Sequence, residues 1–298
     1  MWAERKKEFR QALDQGNKTL HFIQKNKEDY FSFSPEIKKE ILNQLAEDMM
    51  EYVEKLEIRE LVEYNPVGYQ EGTVECCTSD YIKDYQVLID SLDIGNIEDA
   101  EKYVEKFKFY CIEIEFKKRK MIFFRRVTKF KKLTSSGILA AFQGNQINKV
   151  EDKLLGLDGT VDVIAYDEKM YILNHTGFER IFVLNDHFEE KAIEALKVIK
   201  GIDKIQNFSS FEEDCLNNIH VKKMLTKMGS DMNMEKCFDQ FDRIKETIGI
   251  FDLEIEVDQM DKMIIYEDKS QIVDILRIIN DAYYISCIMQ APGVDNKI

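Results

Sequence analysis

The sequence predicts an α+β fold: a mainly antiparallel sheet built from hairpins, with packed helices and an N-terminal helical region. Three observations lead there. Apolar strand-like stretches come in pairs joined by short polar turns, at 110–127, 161–173 and 253–267. Stretches of helical period lie between and before these pairs. No regular strand–helix–strand alternation is present.

The first element is announced by Ser34-Pro35-Glu36. Serine is a good N-cap, and proline fits the first helical position because its missing N–H has no partner there. Ile37, Ile41, Leu45, Met49 and Val53 recur at helical spacing, which predicts a helix over 35–56. Tyr64-Asn65-Pro66-Val67-Gly68 ends a short strand in a turn. Residues 80–92 read as helical, with Tyr81, Tyr85, Leu88 and Leu92 on one side, and Gly95-Asn96 breaks the chain. The sequence thus divides into an N-terminal helical region, 1–96, and an α+β domain, 97–298.

From Tyr110 to Phe116, apolar residues alternate with Cys111, Glu113 and Glu115, as expected of a half-buried strand. Lys117–Lys120 makes the turn and Met121–Val127 returns. Val161–Tyr166 and Met170–Leu173 flank a turn at Asp167-Glu168-Lys169. Asp186 reads as the cap of a helix carrying Phe188, Ala192, Leu196 and Ile199, with Gly201 as its stop. A further helix opens at Ser210 and runs towards Gly229. Leu253–Val257 and Lys262–Glu267 form the third pair, and Ser270 caps a last helix with Ile272, Ile275, Leu276 and Ile279.

Composition narrows the functional classes. Apolar content is 44% and charged content 33%, values suited to a packed globular protein. No apolar run reaches the ~20 residues of a membrane span, so direct membrane insertion is not expected. Residues 1–8 lack the apolar region of a signal peptide, so a cytoplasmic chain is expected. The six cysteines form no C-x-x-C pair, and the four histidines are scattered. Reduced thiols and no metal site or cofactor are the expectation.

Net charge is −14, unfavourable for a general phosphate binder. The distribution is uneven, however. Residues 117–132, KKRKMIFFRRVTKFKK, hold nine basic side chains and no acidic one. The rest of the chain carries 33 basic and 56 acidic residues, or −23. Lys117, Lys118, Arg119, Lys120, Arg125, Arg126, Lys129, Lys131 and Lys132 are therefore the candidate DNA-binding residues. A two-stranded ribbon carrying them can follow a phosphate backbone and release counterions, and arginine forks suit phosphate. A solvated charged face, or a surface for an acidic protein partner, would use the same residues.

Catalytic motifs are sparse. No glycine-rich phosphate loop and no G-x-S-x-G elbow is present. Glu115-Phe116-Lys117 and Glu267-Asp268-Lys269 fit the Glu-x-Lys part of a Mg²⁺-dependent nuclease, a pattern that a chain this rich in charge produces by chance. No catalytic residue is assigned.

Several stretches together carry a family resemblance. They are Phe123-Phe124-Arg125-Arg126, the run LDGTVDVIAYDEKMYILNHTGFERIF over 157–182, the Tyr64-Asn65-Pro66 turn, and the strand–helix segment from Lys262 to Asp281. Together they resemble the family of KwaB, the soluble component of the Kiwa anti-phage system, across about two-thirds of the chain. The resemblance implies a bacterial defence role, DNA binding, association with a multi-spanning membrane partner similar to KwaA, and homodimers. Recruitment to the inner face of the cell membrane would then come through that partner. The resemblance implies no catalytic residues. Assigning DNA contact to 117–132 rests on charge.

Overall fold

The computed structural model describes residues 2–26, 29–57, 60–94, 104, 106–129, 140–143, 146–149, 155–229 and 234–295. The chain forms two compact units, one of residues 1–64 with 70–182 and the other of 65–69 with 183–298. The expected boundary at 96 lies outside the described residues. The α+β reading holds, with mainly antiparallel sheets and packed helices.

In chain order the first unit contains α1 (Trp2–Gln15), β1 (Asn17–Asn26), β2 (Asp29–Phe33), α2 (Lys39–Lys55), β3 (Glu60–Glu63), β4 (Thr73–Thr78) and α3 (Tyr85–Ile94). Then come β5 (Phe109–Phe116), β6 (Arg119–Arg126), β7 (Thr128–Lys129), β8 (Ala140–Gln143), β9 (Gln146–Lys149), β10 (Leu155–Gly156), β11 (Val163–Tyr166), β12 (Lys169–Ile172) and α4 (His175–Ile181). Eight strands form one sheet in the order β2-β1-β5-β6-β11-β12-β4-β3. Neighbours run antiparallel except β3 and β4, which are parallel.

The region expected to be helical thus supplies half the sheet. Its strands are polar in sequence, because β1 (NKTLHFIQKN) buries Leu20 and Phe22 while keeping several polar side chains at its ends. Tyr110, Ile112, Ile114, Met121, Phe123 and Ile164 face a core shared with α1 and α2. Phe109 and Phe124 face the other side, where Phe124 meets Phe182 and Phe178 packs on Phe182. β5 is therefore covered on both faces, and even Cys111 is buried.

The helix expected over 35–56 begins at Lys39. Ser34 does not cap it, because its hydroxyl bonds instead to His21 Nδ1 at 2.8 Å. Leu42, Leu45, Ala46, Met49, Met50 and Val53 are buried, but Ile41 is exposed. Each fully buried side chain of this size contributes about 1.5–3 kcal/mol by leaving water.

The second unit contains α5 (Asn185–Ile202), β13 (Ile205–Gln206), α6 (Phe208–Leu216), α7 (Ile219–Met228), α8 (Met234–Asp239), α9 (Phe241–Ile250), β14 (Glu256–Asp258), β15 (Met263–Ile265), α10 (Ile272–Ile279), β16 (Tyr283–Ile285) and β17 (Pro292–Val294). The third expected hairpin, β14–β15, joins β13 in a separate small sheet. Three expected helix signals differ. α5 has no side-chain cap from Asp186, and it ends at Asp203 in the left-handed region rather than at Gly201. The helix expected from Ser210 is two helices, α6 and α7, because Asn218 accepts from His220 N and Val221 N and restarts the chain. Asp268, not Ser270, caps the turn before α10, in a reciprocal box with Gln271.

Candidate functional site

The described basic residues of 117–126 lie at the two ends of β6 and its turn. Lys117 and Lys118 form the two-residue turn between β5 and β6, both at positive φ (50° and 63°), and both are exposed. Such turns favour Asn-Gly, since side chains are crowded in that conformation. Here two lysines occupy it. Neither makes an ion pair with a described residue, and Lys117 lies 4.6 Å over the Phe116 ring. Arg119 and Lys120, expected in the turn, begin β6 instead. Arg119 meets Asp167 at 3.3 Å, an exposed pair worth little in water. Lys120 is held at 2.7 Å by Asp93 and 3.5 Å by Glu113.

At the other end of β6 the arginines are committed inward. Asp162 immediately precedes β11 and is fully buried. Its backbone N–H donates to Phe124 O, and its C=O accepts from Leu173 N and Asn174 N, so the loop cannot shift. Its carboxylate accepts from Arg125 Nη1 at 3.0 Å, Arg126 N at 3.0 Å and Arg126 Nε at 3.2 Å. Arg125 also forks onto Asp158, Nε to Oδ1 at 2.9 Å and Nη2 to Oδ2 at 3.0 Å. Burial would raise the Asp158 pKa, but Arg125 and the Thr160 hydroxyl and N–H together hold it below the usual carboxylate range. Tyr110 Oη donates to Asp158 O at 2.7 Å, tying this loop to β5. Lys129 lies on β7, whose partner is β10. Lys131 and Lys132 lie outside the described residues.

A second polar cluster lies at the start of α4. Asn174 caps the helix by accepting from Gly177 N at 2.7 Å. Gly177 abuts the buried aspartate: a Cβ there would lie 2.5 Å from Asp162 Oδ1. Gly177→Ala is therefore expected to cost about 1–3 kcal/mol in chemical denaturation, and an unchanged midpoint would show that the helix shifts freely. His175 places Nδ1 2.7 Å from Glu75 Oε2 and Nε2 3.0 Å from Glu179 Oε1. Tyr64 Oη donates to Glu179 at 3.0 Å, and its ring packs on His175.

With a carboxylate at each nitrogen, the imidazole is held doubly protonated. Burial lowers its pKa, but Glu179 and Glu75 outweigh burial and raise it to about 9. A pKa raised on folding gives stability that is full below the unfolded value, about 6.5, and is lost as pH rises through 9. Unfolding free energy should thus fall by a few kcal/mol between pH 6.5 and 9.5, and His175→Gln should flatten that slope. An equal slope in the variant would contradict the assignment.

These partners were not legible in the sequence, since Glu75 is 100 residues from His175. Both clusters read as fold-fixing, because both ring nitrogens of His175 and all three guanidinium nitrogens of Arg125 are already spent on carboxylates. Among the described residues, no group of three or more His, Cys, Asp or Glu side chains could hold a metal ion. In the Glu267-Asp268-Lys269 tripeptide, Asp268 caps and Lys269 pairs with Asp214 at 3.2 Å. No helix of the described residues is long and apolar enough to cross a membrane.

Fold and site define an α+β protein of acidic composition, with a basic hairpin tip at one end of β6 and an arginine–aspartate staple at the other. The family model described as Kiwa protein KwaB-like matches residues 104–289, more than half of the chain. The chain belongs to this KwaB-like family, which makes it a component of a Kiwa anti-phage defence system, a setting that implies partner proteins. No curated protein and no solved structure matches the chain.

Proposed function

We propose that this chain is the DNA-binding component of its Kiwa system and acts on phage DNA by occupying it rather than by catalysis. Contact is to the duplex backbone without base specificity. Lys117, Lys118, Arg119 and Lys120 meet the phosphates, with Lys129, Lys131 and Lys132 extending the surface. Arg125 and Arg126, at the other end of β6, keep their carboxylate partners. The observation that carries the reading is the hairpin tip: two exposed lysines without ion pairs to any described residue, in a conformation that asparagine and glycine adopt at lower cost. The chain assembles as a homodimer and docks on a membrane partner similar to KwaA, which brings it to the inner face of the cell membrane.

The direct test is retardation of duplex DNA of unrelated sequences by the purified protein at low salt. Equal binding of each duplex, weakening steeply with salt, is expected. Absence of binding at about 50 mM salt would overturn the reading.

A further inference from the structure

The second unit holds a cavity of about 390 Å³ between α8, α9 and the end of α10. That volume lies within the range of small-molecule sites. Its apolar wall includes Ile244, Ile278 and Ile279, all buried. Cys237 also lines it, with its thiol donating to Ile278 O at 3.4 Å, so this helix-end carbonyl is satisfied. Two cations line the same space, Lys236 from α8 and Arg243 from α9.

Neither cation side chain makes an ion pair or hydrogen bond with a described residue. Carboxylates are not scarce here: residues 183–298 carry 23 acidic and 14 basic side chains. Lys191, Lys200, Lys222, Lys269 and Arg277 in this unit all have carboxylate partners. Asp281 also lines the cavity, which leaves its lining with one net positive charge. Gln240 and Asn280 add neutral polar groups. An apolar wall beside two unspent cations matches a ligand with one anionic head and an apolar body. An uncharged ligand would leave the cations unused, and a bare anion would leave the wall wet.

We infer that this cavity binds a small organic anion, a carboxylate or phosphate monoester on an apolar body, with Lys236 and Arg243 taking the head and Ile244, Ile278 and Ile279 the body. This site is separate from the basic hairpin tip, and its occupancy does not depend on DNA binding.

Calorimetric titration of the full-length protein tests this with octanoate and hexyl phosphate, which carry the two heads on similar bodies. Hexanol and inorganic phosphate are the single-feature controls. Saturable binding of octanoate or hexyl phosphate is expected, at least tenfold tighter than either control. The exposed pair Lys236→Ala with Arg243→Ala should weaken it at least tenfold. Lys245→Ala, on the same helix but outside the lining, should leave it unchanged. No saturation by either anion at about 5 mM would overturn the inference. So would binding that the double variant leaves intact, or binding that Lys245→Ala weakens equally.

Discussion

Asp162→Asn is expected to destabilise the protein by about 3–5 kcal/mol, the largest effect of any single change considered. The carboxylate is fully buried and accepts from both Arg125 and Arg126. Removing its charge leaves Arg126 without its carboxylate and Arg125 with Asp158 alone, which is itself partly exposed. Asparagine keeps the shape but places an amide N–H₂ among donors. Stranding a charge costs more than the pair was worth, because the desolvation remains while the attraction is gone. Urea denaturation reads the effect as a lower midpoint with an unchanged slope. Replacing all three side chains by apolar ones of similar size should cost much less than Asp162→Asn alone. A loss below about 1 kcal/mol for Asp162→Asn would mean that the arginines turn out to solvent without penalty.

The second large effect concerns DNA. Replacing Lys117-Lys118 with Asn-Gly removes the two exposed tip cations and installs the residues that this turn conformation prefers. Stability should therefore stay level or rise by up to about 1 kcal/mol, since glycine carries no side chain to crowd the left-handed region. DNA affinity should nevertheless fall about tenfold or more near 0.1 M salt, as two phosphate contacts are lost. The opposite signs separate a functional role from a folding role. If affinity held while stability rose, the tip lysines would be solvated turn residues only.

The hairpins at 110–127, 161–173 and 253–267 were legible because their turns are short and their apolar residues cluster. β1 and β2 were not. Their burial comes from neighbours on both sides of the sheet, and His21 and Ser32 are buried there despite being polar. The cap signals at Ser34, Asp186 and Ser270 failed because each helical segment starts at another residue, with Lys38, Leu184 and Asp268 in the cap positions. Ser34 bonds to His21, and Ser270 donates both its N–H and its hydroxyl to Asp268.

The basic run was visible as composition, but its division was not. Asp158 lies 33 residues from Arg125, and Asp162 lies 36 from Arg126. Only the pairing of β6 with β11 brings them together. The stretches that carry the family resemblance, Phe123–Arg126 and 157–182, include Arg125, Arg126, Asp158, Asp162, His175, Gly177 and Glu179. Much of that pattern is the staple and the capped helix, which fix the fold. The tip lysines, at the other end of β6, pair with no carboxylate among the described residues.

The salt dependence of DNA binding tests that division most directly. Affinity for one duplex of about 30 base pairs is measured from 50 to 300 mM salt, for the unaltered chain and for the Asn-Gly variant. A slope of log affinity against log salt that is shallower by about two in the variant, with its fold intact, is the predicted result. Parallel lines of equal height would contradict the account.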